Sequence, residues 1–166
     1  MICCLTRGMC RRDAEALTMI FVLEKIKELN IGWNERPLDE ADLYRLCKRY
    51  KVTVEELPLQ VSGFYYSVMG RHFIAVDSKL PPRRRLFVLF HEFAHFLLHA
   101  PERGATANFH GVGKRNRKEI EADIFALVAL IPKVDLLNRT ASELIDDGFD
   151  PELIRVRFEI FQQHGL

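Results

Sequence analysis

Residues 86–99 read LFVLFHEFAHFLLH, and this stretch dictates how the rest of the chain is arranged. Leu86, Phe87, Val88, Leu89, Phe90, Phe93, Phe96, Leu97 and Leu98 leave almost no polar side. A helix that is apolar nearly all round lies in the middle of a fold. The helix is expected over Arg83–His99, with Pro81-Pro82 at its start and Pro101 as its stop. Into it the sequence places His91, Glu92 and His95. At 3.6 residues per turn, positions i and i+4 lie about 40° apart on one face, so both imidazoles can reach one zinc ion. Glu92 projects about 100° away from His91, beside the metal and not onto it. There it can take a proton from a water whose pKa the metal lowers towards ~7. The blander reading is a pair of hydrogen-bonded core histidines. It leaves two imidazoles and a carboxylate in an oily helix without a partner, which is expensive. A metal ion supplies that partner.

A catalytic zinc takes three protein ligands and keeps a position for water. The candidate third ligand lies in Glu119-Ile120-Glu121-Ala122-Asp123, on the next expected helix, Glu119–Ile131. Glu119 and Asp123 share a face at i and i+4. Glu119 can therefore ligate while Asp123 accepts the remaining ring N–H of a ligand histidine and fixes its tautomer. Glu121, about 200° round from Glu119, is not expected to share that face. By itself the acidic start would be no more than an ordinary complement to the helix dipole. His99 continues the histidine face by one turn, as a substitute ligand, a group behind the ligands, or simply a histidine at a helix C-terminus. Tyr65, Tyr66 and His110 are candidates for binding substrate or stabilising the transition state.

Upstream, Leu17, Ile20, Phe21, Leu23, Ile26 and Leu29 suit an amphipathic helix over Asp13–Leu29, ended by Asn30 and Gly32. A second helix is expected over Asp39–Tyr50. The period then changes to strands at Val52–Leu59, Gly63–Met69 and Arg71–Asp77, the last two joined by a tight turn at Gly70. Glu102–Lys118 reads as an exposed Gly- and base-rich loop. Two or three short helices follow Lys133, broken at Gly148 and restarted at Asp150-Pro151. Helices, a small strand group and helices again make the class α+β. The expectation is a single domain over residues 1–166, with 133–166 as a helical C-terminal extension.

The 24 Lys and Arg against 23 Asp and Glu leave a formal charge of +1, which favours neither nucleic acid nor an anionic membrane. The basic run Lys114–Lys118 reads as a solvated loop. Arg155 and Arg157 sit among acidic Glu143, Asp146, Asp147, Asp150, Glu152 and Glu159, which would repel phosphate. Cys3, Cys4, Cys10 and Cys47 include no CxxC pair and do not form a secreted disulfide framework. MICCLTRGMCRR lacks the apolar core of a signal peptide, so a cytoplasmic location is expected. The first dozen residues are expected to be poorly ordered or to precede the natural start.

Gly63-Phe64-Tyr65-Tyr66, Phe73-Ile74-Ala75-Val76, Leu80-Pro81-Pro82 with Arg84, HEFAHFLLH and EIEADIFALVALIP together resemble the ImmA/IrrE family of metallopeptidase domains over about residues 38–132. The resemblance implies a zincin-like zinc metallopeptidase fold, with the active-site helix beside a small β-sheet. It also implies a glutamate as third ligand, which carries over to Glu119. Family members cut helix-turn-helix repressors, so the resemblance implies that kind of protein substrate and a part in transcription regulation. Asp123 departs from the asparagine common in the family, and no separate DNA-binding or sensory domain is evident. The competing expectation is a catalytically silent zinc-binding module that sequesters a repressor or toxin; such a site would have no use for Glu92. A DNA-binding regulator has only the C-terminal helices in its favour.

Overall fold

The computed structural model describes residues 11–100, 108–109 and 116–166. Cys3, Cys4, Cys10 and His110 lie outside these residues. The chain divides after Asn30 into two compact units. The first contains helix α1, Arg11–Lys27, two residues nearer the N-terminus than its apolar spacing suggests.

In the second unit, Asp39 caps helix α2 (Glu40–Tyr50). Its carboxylate accepts the Asp42 N–H while Asp42 returns the bond to the Asp39 N–H. Lys51, at φ 56°, turns the chain out of the helix and into strand β1, Val52–Leu57. Strands β2 (Gly63–Val68) and β3 (Arg71–Asp77) form the expected hairpin. Met69 at φ 49° and Gly70 at φ 74° give both central residues the positive φ of a type I′ turn. Met69, expected to end the strand, is therefore a turn residue, and it is 98% exposed.

Strand β1 lies parallel to β3, with Val52 opposite His72 and Leu57 opposite Asp77. A two-residue strand β4 (Asn108–Phe109) falls inside what the sequence suggested was loop, and it pairs antiparallel with β2. The sheet order is β1-β3-β2-β4.

Helix α3 (Pro82–His99) packs on β2 and β3, and helix α4 (Arg117–Leu130) packs along α3. Every residue from Leu86 to His95 is buried, as the oily sequence requires. Sheet and helix approach each other closely at Gly63. A Cβ there would stand 2.6 Å from Val88 Cγ1 and 2.8 Å from the Ala75 carbonyl oxygen. Gly63→Ala is accordingly expected to destabilise the fold by about 1–3 kcal/mol, the usual cost of overpacking. Chemical denaturation of the two proteins measures it, and equal stability would mean the helix can retreat from the sheet.

Helix α4 begins two residues earlier than expected, because Asn116 caps it by accepting the Glu119 N–H. Three helices follow: α5 (Lys133–Asn138), α6 (Ala141–Asp146) and α7 (Pro151–His164). Arg157 on α7 is fully buried and donates from Nε to the Ile131 carbonyl at the end of α4, 2.7 Å away. Burial pushes its pKa down to about 10, so it remains charged beside the negative end of the helix dipole. Arg155 is paired with Glu152 and Glu159. Among the described residues, no helix is long and apolar enough to cross a membrane.

Candidate metal centre

The i, i+4 spacing brings His91 and His95 together on α3, their Nε2 atoms 3.0 Å apart. Packing of α4 along α3 then delivers Glu119. Its Oε2 lies 3.3 Å from His91 Nε2 and its Oε1 lies 3.4 Å from His95 Nε2. One potential ligand atom from each of these three residues falls within 4.8 Å of the others. Both histidines are essentially inaccessible, while Glu119 is 26% exposed, so the cluster opens on its carboxylate side.

Asp123 occupies the position its spacing predicts, with Oδ1 2.9 Å from His91 Nδ1. A carboxylate at that distance favours a ring proton on Nδ1, which would leave the Nε2 lone pair facing His95 and Glu119. Lone pairs and carboxylate oxygens this close repel unless something positive lies among them. Without a metal the proton serves: although burial lowers the His91 pKa, hydrogen bonding to Asp123 and Glu119 outweighs it and raises the pKa to about 9. Two imidazole nitrogens and one carboxylate are also the donor set of a catalytic zinc site. The residues present therefore fit a divalent metal ion.

Glu92 is fully buried and its Oε2 accepts the backbone N–H of Tyr65 on β2 at 2.8 Å. That bond ties the acidic side chain of α3 to the sheet, and no side-chain pattern announces it. The Tyr65 ring is buried against Phe96, with its hydroxyl 2.8 Å from His72 Nδ1. Tyr66, one residue on, turns to the other face of the sheet. There it stacks on Phe73 and donates its hydroxyl proton to Glu55, which pushes its pKa up to about 12. Neither tyrosine hydroxyl joins the cluster; His110 lies outside the described residues.

Glu121 lies outside the three-residue cluster. It is the more buried of the two glutamates and reaches α3 one turn further on. Its Oε2 lies 2.7 Å from His99 Nε2, and its Oε1 accepts from Arg117 Nε at 2.7 Å. His99 in turn sets its Nδ1 3.2 Å from His95 Nδ1. Burial lowers the His99 pKa, against the opposing pull of Glu121.

Comparison with known families finds that the Peptidase_M78 profile, described as the IrrE N-terminal-like domain, matches residues 26–161. The match extends beyond the stretch over which the sequence motifs suggest the resemblance. No curated protein and no solved structure matches the chain.

Proposed function

The chain belongs to the IrrE N-terminal-like family of peptidases, and from that premise we propose that it is a zinc-dependent metallopeptidase cutting a specific helix-turn-helix repressor. The observation that carries the reading is the convergence of His91, His95 and Glu119 around one point, beside a buried Glu92 that is not among the converging ligands. We read the domain as zincin-like, with a ligand set of two histidines and a glutamate.

When bound, the ion would acidify a water and polarise the scissile carbonyl. The chain's own residues do the rest. His91, His95 and Glu119 hold the ion, and Asp123 fixes the His91 tautomer. Glu92 takes the proton as the water oxygen forms its bond to the carbonyl carbon. As the C–N bond breaks, Glu92 passes that proton to the leaving nitrogen. The Tyr65 N–H keeps the carboxylate aimed during both transfers, so Tyr65 serves through its backbone. An extended substrate can add to the sheet by strand pairing.

A protein acting on one repressor has no need of broad activity, so casein is expected to be cut poorly. The test is incubation of the zinc-loaded protein with the helix-turn-helix repressor encoded nearest to it, and separately with casein, followed by mass spectrometry. A single chelator-sensitive cut in the repressor supports the reading. Rapid degradation of casein, or a repressor left intact, counts against the proposed substrate.

A further inference from the structure

The polar chain behind His95 follows a strict donor and acceptor order. A neutral imidazole has one N–H and one lone pair, whereas a carboxylate only accepts. Glu121 Oε2, 2.7 Å from His99 Nε2, therefore requires the proton on that nitrogen. His99 Nδ1 is then the lone-pair end. At 3.2 Å it faces His95 Nδ1, which must be the donor. His95 Nε2 is consequently left with its lone pair, on the side where Glu119 and His91 converge. Arg117 closes the far end by donating to Glu121 Oε1.

We propose that His99 and Glu121 are positioning residues that set the ring tautomer of His95 for metal binding through the relay Glu121–His99–His95. This inference rests on the reading of His91, His95 and Glu119 as a metal centre. His91 and His95 are thereby both prepared as Nε2 ligands, but by different means. Asp123 holds His91 directly, while Glu121 holds His95 through an intervening imidazole. Reversing the relay would put the His95 proton on Nε2 and remove the ligand. A merely structural His99–Glu121 pair would have no such dependence on which nitrogen bears the proton.

The test uses the full chain and zinc alone, with Glu121→Gln and His99→Leu as variants. A glutamine amide can either donate to or accept from His99 Nε2, so it no longer imposes the order; leucine removes the acceptor altogether. Zinc affinity, measured by competition with a chromogenic chelator, is expected to fall 10–100-fold in each, as for other partners of ligand histidines. The melting temperature of the metal-free protein reports folding separately. Nitrogen-15 NMR of the zinc-loaded parent should show His95 protonated at Nδ1 and His99 protonated at Nε2. It should show that His99 pattern mixed in Glu121→Gln. If the parent binds zinc and both variants bind it as tightly, or if the parent carries the His99 proton on Nδ1, the relay is wrong and the metal centre stands. A parent that binds no zinc overturns both.

Discussion

Glu92→Gln is expected to lower peptide-bond cleavage by at least ~10²-fold, the low end of what a positioned acid–base group contributes, while leaving zinc content and thermal stability near those of the parent. The separation follows from where the side chain sits. Glu92 is off the cluster formed by His91, His95 and Glu119, and its Oε2 is held by the Tyr65 N–H. A glutamine carbonyl can accept that same bond, so packing and strand position survive while the base is lost. Zinc analysis, a thermal melt and a cleavage assay on the same preparation check the three parts. If the variant still relieves repression in cells as well as its parent, proteolysis is not the mechanism, and a zinc-holding module that sequesters its partner takes its place.

The placement of the residues of the candidate metal centre was legible where it depends on spacing within single helices. His91 with His95, and Glu119 with Asp123, are i, i+4 pairs, and the helix period alone puts each pair on one face. The hairpin was legible for the same local reason, Gly70 marking its turn. Three things were not. Parallel pairing of β1 with β3 depends on contacts between distant segments. The hold of the Tyr65 N–H on Glu92 is a backbone bond, and every non-proline residue offers an N–H. The Glu121–His99 contact was not legible because a helical wheel treats α4 as though it stood alone. With α3 packed alongside, a glutamate turned away from the Glu119 face meets His99 further along the neighbouring helix.

Glu119→Ala is expected to weaken zinc binding by more than ~10²-fold, beyond the upper end of effects seen for partners that only orient ligands. It removes the only carboxylate of the three-residue cluster and the only member contributed by α4. The loss has a thermal signature as well. A ligand that binds only the folded state stabilises it by about 2.7 kcal/mol when free ligand is 100 times its dissociation constant. The parent should gain this at such a zinc level, and Glu119→Ala should gain almost none of it at the same concentration. Since His91 is held protonated up to about pH 9 in the metal-free protein, zinc uptake by the parent should also release a proton. A Glu119→Ala protein that holds zinc normally would show that another residue completes the site.

The chain has a single tryptophan, Trp33. Its indole N–H donates to the Phe125 carbonyl on α4 at 3.0 Å, and its ring stacks on that of Phe125 at 6.4 Å. Phe125 in turn touches Phe90 and Phe93, the latter two residues before His95. All ultraviolet emission excited at the red edge of the spectrum therefore comes from one chromophore, lodged against the helix that supplies Glu119. The molecule carries its own optical gauge of whether α4 is seated, readable without a label and at concentrations too low for calorimetry.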